Sequence, residues 1–228
     1  MDNYLEKVEN LKKEMRRYAR EDVMVAFSGG VDSSLLLKLA CEAAGEGGSI
    51  VYAATVQTRL HPSGELKEAE RICREIGARH IVLRVDELAE AGIMDNPADR
   101  CYLCKKHLFQ KMLEQAAALE VNTVLEGTNE DDLHVYRPGL RALKELGIIS
   151  PLAEAGLTKA EVRELAQEYG LSVASKPATP CLATRFPYGT SLTYKKMEQV
   201  EKGEEFLKGF RVSDSHKLPP FLLVNLSQ

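Results

Sequence analysis

An α/β fold built on a parallel sheet is the class this sequence predicts, and three observations predict it. Four short apolar runs, at residues 23–27, 50–56, 80–85 and 122–126, read as strands. Between them lie longer stretches whose apolar residues recur at spacings of three and four, the helical period. Strand, helix, strand in alternation is the unit from which parallel sheets with helices on both faces are assembled. The 228 residues, 44% hydrophobic and 28% charged, suffice for one sizeable domain with a small appendage and exclude general disorder.

Residues 3–20 place Leu5, Val8, Leu11, Met15 and Tyr18 on one face and predict an amphipathic helix. The strand at 23–27 runs straight into Ser28-Gly29-Gly30-Val31-Asp32-Ser33-Ser34, and a helical run follows from Leu35. Gly45-Glu46-Gly47-Gly48 breaks that helix before the second strand. The stretch 63–77 is helical, with Leu66, Ala69, Ile72, Cys73 and Ile76 together, and leads to the third strand. A helix beginning near Cys101 separates the third strand from the fourth. A short apolar element at 148–152 ends at a proline, and Thr158-Lys159-Ala160-Glu161 is a capping box that starts a helix closed by Gly170. Residues 175–189 hold three prolines and Gly189 around Cys181, which rules out a regular helix or central strand. Met197, Val200 and Leu207 then mark the inner face of a helix over 195–210. Ligands of open parallel sheets sit outside the carboxyl ends of the strands. That rule gathers residues 28–34, Thr55 to Thr58, the loop before Cys101 and Gly127 onward around one crevice.

The residue types at that crevice point to phosphate and thiol chemistry. Glycines let the loop turn sharply and approach a ligand, and a helix start turns unpaired N–H groups and a positive dipole end toward the same space. Ser28, Gly29, Gly30, Ser33 and Ser34 are therefore a candidate phosphate cradle. It is not a Walker A loop, because Asp32 stands where a lysine would have to be, and an acid at that place suits bound magnesium. Thr55 reads either as a nucleotide contact or as a polar strand end, and Asp131 and Asp132 either as metal or sugar ligands or as helix caps. Arg137 and Arg141, four apart, form either a fork for an anionic substrate or surface charge. Cys101 and Cys104 form a Cys-X-X-Cys pair at a helix start, a position that lowers thiol pKa and favours metal ligation or redox chemistry, though a pair is only half of a structural zinc site. Cys181 lies on a stiff loop with Arg185 four residues on, placed to depress its pKa or to hold a phosphate. Cys41 and Cys73 read as small core residues, and His107 as a solvated helix histidine. Five cysteines without an export-like start argue against a disulfide framework. The net charge of −4 offers no general reason to bind nucleic acid, and no apolar run approaches membrane-spanning length, so a cytoplasmic protein is expected.

The loop resembles the SGGxDS loop of the PP-loop ATP pyrophosphatases, which split ATP between its α and β phosphates and adenylate a substrate. SGGVDSS together with RCYLCKKHLF, EGTNEDDLHVYRPGLRA, SPLAEAGLTKAEVRELA and KPATPCLATRFPYG resembles the LarE family of ATP-dependent sulfur transferases, over nearly all of residues 20–210. The resemblance implies a Rossmann-like sheet, a PP-loop ATP pyrophosphatase domain over 1–175, and a C-terminal segment over 176–228 that carries the Cys181 loop and a helix. It implies a small nucleotide substrate, a dicarboxylated pyridinium mononucleotide on the route to a nickel-pincer nucleotide. Its carboxylate would be adenylated and then converted to a thiocarboxylate, with no nucleic acid or membrane partner and a homo-oligomeric assembly. ATP and Mg2+ are the implied cofactors, with Ser28, Gly29, Gly30, Asp32, Ser33, Ser34, Thr55 and Gly127 around the nucleotide and Arg137, Arg141 and Arg185 toward the substrate. Cys181 matches the family's sulfur-bearing cysteine. In one branch that cysteine gives up its own sulfur; in another, three cysteines carry a 4Fe-4S cluster, and Cys101, Cys104 and Cys181 supply the three. Glu201 and Glu204 match an acidic helix and read as metal ligands or solvated charge. Beyond Arg211-Val212 the likeness stops, so the family's C-terminal portion is expected to be incomplete. The competing readings are a tRNA thiolase, an amide-forming synthetase of the same fold, and an ATP-binding scaffold.

Overall fold

The four apolar runs pair side by side in the computed structural model, which describes residues 2–62 and 64–209. Strand β1 (Val23–Ala26) lies between β2 (Val51–Gln57) and β4 (Thr123–Leu125), and β3 (Arg79–Arg84) pairs outside β2. The order is β3-β2-β1-β4 and every pairing is parallel, with Val23 opposite both Val51 and Thr123. A one-residue parallel bridge from Leu125 to Ile149 adds the apolar element at 148–152 beyond β4. The order reverses direction between β1 and β4, and that switch point is where a crevice opens in such sheets.

Ten helices cover the described sheet: α1 (Asp2–Tyr18), α2 (Val31–Gly47), α3 (Glu65–Ile76), α4 (Glu87–Glu90), α5 (Arg100–Ala118), α6 (Glu130–Leu133), α7 (Gly139–Glu145), α8 (Pro151–Glu154), α9 (Lys159–Glu168) and α10 (Tyr194–Gly209). Strand side chains alternate between faces. Val23, Val25, Val51 and Ala53 join a core with α1, α2, α3 and α9, in which Leu35, Leu36 and Leu37 are fully buried. Met24, Tyr52 and Ala54 join a second core with Phe109 and Met112 of α5 and Leu143 of α7. Cys73 is buried in the first core and Cys41 packs against it. The expected elements recur within a few residues, and the short helices α4, α6 and α7 were not foreseen because four to seven residues carry too little period to read.

A third cluster attaches the C-terminal segment. Leu60, Leu88 and Ile93 pack with Leu182, Ala183, Leu192, Met197 and Val200, so α10 and the 3-10 turn Leu182–Arg185 dock at the carboxyl ends of the strands. Phe210, the last residue of the expected helix, and Arg211-Val212 lie outside the described residues. No helix among the described residues is long and apolar enough to cross a membrane.

Candidate active site

The carboxyl ends of β1 and β4 open into a cavity of about 590 Å³. One end is the loop after β1. Gly29 adopts φ +71°, a left-handed conformation that a side chain disfavours. The hydroxyls of Ser28 and Ser33 pair at 3.2 Å, and Ser33 Oγ also donates to the Gly30 carbonyl at 3.2 Å, so the loop is braced before any ligand arrives. A Cβ on Gly127 would sit 3.0 Å from Asp32 Cβ and from the Ser33 nitrogen, so only glycine lets the turn after β4 close against the loop. Ser28, Gly30, Asp32 and Ser33 line the cavity. Ser34 is fully buried outside that wall, and its hydroxyl has no partner among the described residues. Thr55 lines the cavity, but its hydroxyl is spent within the sheet, donating to the Phe27 carbonyl at 2.8 Å and pairing with His80 Nε2 at 2.8 Å.

Two lysines distant in sequence, Lys159 and Lys176, converge on this end. Lys159, the first residue of α9, pairs its ammonium with Asp32 Oδ2, while Asn129 Nδ2 donates to Asp32 Oδ1 at 3.1 Å. Lys176 donates to the Gly29 carbonyl at 3.0 Å. Both line the cavity. Both paired acids cap helices: Asp131 accepts from the Lys159 N–H at the start of α9 at 2.9 Å, and Asp132 accepts from the Asn129 N–H at the start of α6 at 3.3 Å, while also lining the cavity and pairing with Arg137 at 2.8 Å.

The other end of the same cavity holds Cys101, Cys104 and Cys181. Buried Arg100 brings them together by donating to Asn96 Oδ1 and to the Ala183 carbonyl, the latter at 3.1 Å. Asn96 in turn donates from Nδ2 to the Pro187 carbonyl at 2.7 Å. The loop before α5 is thus stitched to the loop around Cys181. Burial pushes the Cys104 thiol up to about 12 and raises that of Cys181, with Cys101 and Glu87 adding to both and Arg100 opposing. Burial therefore outweighs the helix-start effect expected for Cys104 and the cationic depression expected for Cys181. Glu87 is fully buried in the cavity wall; its Oε1 accepts from the Leu60 N–H at 2.8 Å, and its Oε2 has no partner among the described residues.

The arginines separate. Arg137 reaches the cavity, but Arg141 lies within α7, stacked 3.6 Å over the Tyr102 ring and facing Glu145, so the two form no fork. Arg185 is buried: its Nε and Nη2 donate to Glu204 at 2.6 and 3.0 Å, and its Nη1 donates to the carbonyls of Pro180 and Cys181. It supports the Cys181 loop from beneath, and Glu204 is an internal counter-ion rather than a solvated charge. His107 pairs with Glu90 at 3.2 Å.

The family model described as a PP-loop domain matches residues 3–135. A pyridinium-3,5-bisthiocarboxylic acid mononucleotide synthase of Lactiplantibacillus plantarum is 38% identical over 82% of this chain and 67% of its own length. The chain belongs to the LarE family of PP-loop proteins. An uncharacterized protein of Synechocystis is 41% identical over 89% of this chain and 74% of its own. A tRNA-specific 2-thiouridylase of Carboxydothermus hydrogenoformans is a more distant relative, 26% identical over 90% and 67%.

Within a LarE protein the site can be tested for the groups its family implies. Among the described residues, no three of His, Cys, Asp and Glu gather closely enough to hold a single metal ion. Magnesium on a nucleotide needs only one or two carboxylates beside the phosphates, and Asp32 at the loop meets that demand. Cys101, Cys104 and Cys181 line the cavity together, and three thiolates with an open position are the donor set that a 4Fe-4S cluster would take. Binding there would have to displace the protons that burial favours on Cys104 and Cys181. Lys159, Lys176, Glu87 and the Arg185–Glu204 pair were missed in the sequence, because each acquires its role from a partner far away along the chain.

Proposed function

We propose that this protein is an ATP-dependent sulfur transferase that activates a carboxylate of a pyridinium mononucleotide and converts it to a thiocarboxylate. The observation that carries the reading is one cavity with a phosphate loop at one end and three cysteines at the other. The name of the Lactiplantibacillus relative supplies the substrate class. The carboxylate oxygen attacks the α phosphorus of ATP, the bond to the β phosphate breaks, and pyrophosphate leaves. A sulfur nucleophile then attacks the acyl carbon, AMP departs, and the carbon–sulfur bond remains.

The chain's own groups divide along the cavity. Gly30, Ser28 and Ser33 with the start of α2 hold the departing pyrophosphate, and the Lys159 and Lys176 ammoniums add positive charge there. Asp32 would hold magnesium, which neutralises phosphate charge when bound. Gly127 keeps the wall close, and Arg137 at the rim faces an anionic substrate. At the far end Cys101, Cys104 and Cys181 would hold a 4Fe-4S cluster, which supplies sulfur chemistry when bound, and Glu87 lies beside them. Catalysis here is largely positioning and charge stabilisation.

Substrate-dependent pyrophosphate release and product mass, measured on anaerobically prepared protein with its iron and sulfide content, test this reading. Asp32→Ala is expected to lower pyrophosphate release by about a hundredfold or more. Cys181→Ala is expected to retain release and yield no thiocarboxylate. Iron-free protein that loses the elements of hydrogen sulfide from Cys181 during turnover would replace the cluster with a sacrificial cysteine. Absence of substrate-dependent pyrophosphate release would overturn the reading.

A further inference from the structure

The phosphate loop is in direct polar contact with the first residue of the segment that leads to Cys181. Lys176 begins the segment Lys176-Pro177-Ala178-Thr179-Pro180-Cys181, and its ammonium is bound 3.0 Å from the carbonyl of Gly29 in the phosphate loop. Its main chain is anchored separately: Arg163 Nη2 donates to the Lys176 carbonyl at 2.9 Å. Arg163 stands one turn along α9 from Lys159, which holds Asp32. Helix α9 therefore braces the loop and the base of the cysteine segment at once. The segment itself is stiff, because two prolines fix φ at two of the four positions between Lys176 and Cys181.

We infer that Lys176 is a positioning residue that makes the placement of Cys181 depend on whether the phosphate loop is occupied. The inference rests on the proposed adenylation reading and adds a coupling between its two half-reactions. A neutral carbonyl is a weaker partner for an ammonium than a phosphate oxyanion, since charge-assisted hydrogen bonds are roughly twice as strong. Lys176 lines the cavity, so a pyrophosphate group on the loop offers that better partner within reach. Once Lys176 is held by an oxyanion, the proline-stiffened segment is held with it, and Cys181 is fixed relative to the activated carboxylate. Before ATP binds, the weaker contact leaves the segment freer. Sulfur chemistry is thereby favoured when the leaving group is present.

Hydrogen–deuterium exchange on the full chain with saturating inorganic pyrophosphate tests this. In the unaltered protein, pyrophosphate is expected to slow exchange about tenfold in peptides covering both the 28–34 loop and the 176–186 segment. Lys176→Met is expected to bind pyrophosphate less tightly, so it is compared at a concentration raised until the loop peptide regains its protection, which also shows that the variant is folded; there the 176–186 response is expected to be lost. Lys176→Arg is expected to restore it. An unchanged response in Lys176→Met, or a protected loop with an unresponsive segment in the unaltered protein, overturns the coupling and leaves the phosphate reading standing. No protection of the loop in any form overturns the phosphate reading and the coupling together.

Discussion

The phosphate end and the cysteine end of the cavity are built in opposite ways. At the phosphate end the serines bond one another and Gly30, Asp32 is held by Lys159 and Asn129, and Gly127 closes the wall, while Ser34 Oγ and Asn129 Oδ1 have no partner among the described residues. At the cysteine end burial holds Cys104 and Cys181 protonated, and Glu87 keeps an oxygen without a partner among the described residues. The first end is fixed by hydrogen bonds and ion pairs around the loop, whereas burial dominates the second. A site that recognises a diffusing phosphate gains from being ready in advance.

Three measurements sharpen the contrast. The largest effect is expected at the support of the cysteine end. Glu204→Ala leaves the buried Arg185 guanidinium without its counter-ion, which is expected to cost about 3–5 kcal/mol of stability in denaturant titration. A loss under about 1 kcal/mol would show that the pair does not hold the Cys181 loop. Next is the phosphate end: Gly127→Val drives a side chain into Asp32 and Ser33, and strain of about 1–3 kcal/mol is expected. Pyrophosphate affinity, followed by calorimetry, is expected to fall while the reactivity of Cys181 toward an alkylating reagent stays unchanged. Equal change at both ends would erase the distinction. The smallest effect is in pH. Between 9.0, the ordinary thiol value, and about 12, an unfolded Cys104 is ionised while the folded one is not. The unfolded state then binds fewer protons, so the Cys104 contribution to stability falls as pH rises through that window. Cys104→Ser is expected to flatten that slope in the cluster-free chain.

The readable part of the site was the part carried by local sequence. Strand, glycine loop and helix in succession put Ser28 to Ser33 at the cavity, and the prolines around Cys181 marked an irregular segment. The arginines show the opposite case. Arg137, Arg141 and Arg185 looked alike in sequence, yet one reaches the cavity, one stacks on Tyr102, and one is buried against Glu204. Their fates depend on a seven-residue helix that begins at Gly139 and on a contact to a residue 19 positions away. Neither leaves a periodic trace.

By itself the sequence determined the α/β class, the order of the main elements, the phosphate loop and the three cysteines worth following. These depend on hydrophobic period, turn chemistry and motif spacing, all of which act over a few neighbouring residues. Only the tertiary structure decided that β4 lies beside β1, that Cys181 joins the loop and Cys101 in the cavity, and that Lys159 and Lys176 bind Asp32 and Gly29. Those facts follow from which faces are buried together, and burial is a property of the packed chain. The same burial reversed the reading of the thiols: a helix start lowers a cysteine's pKa, but removal from water raised it further.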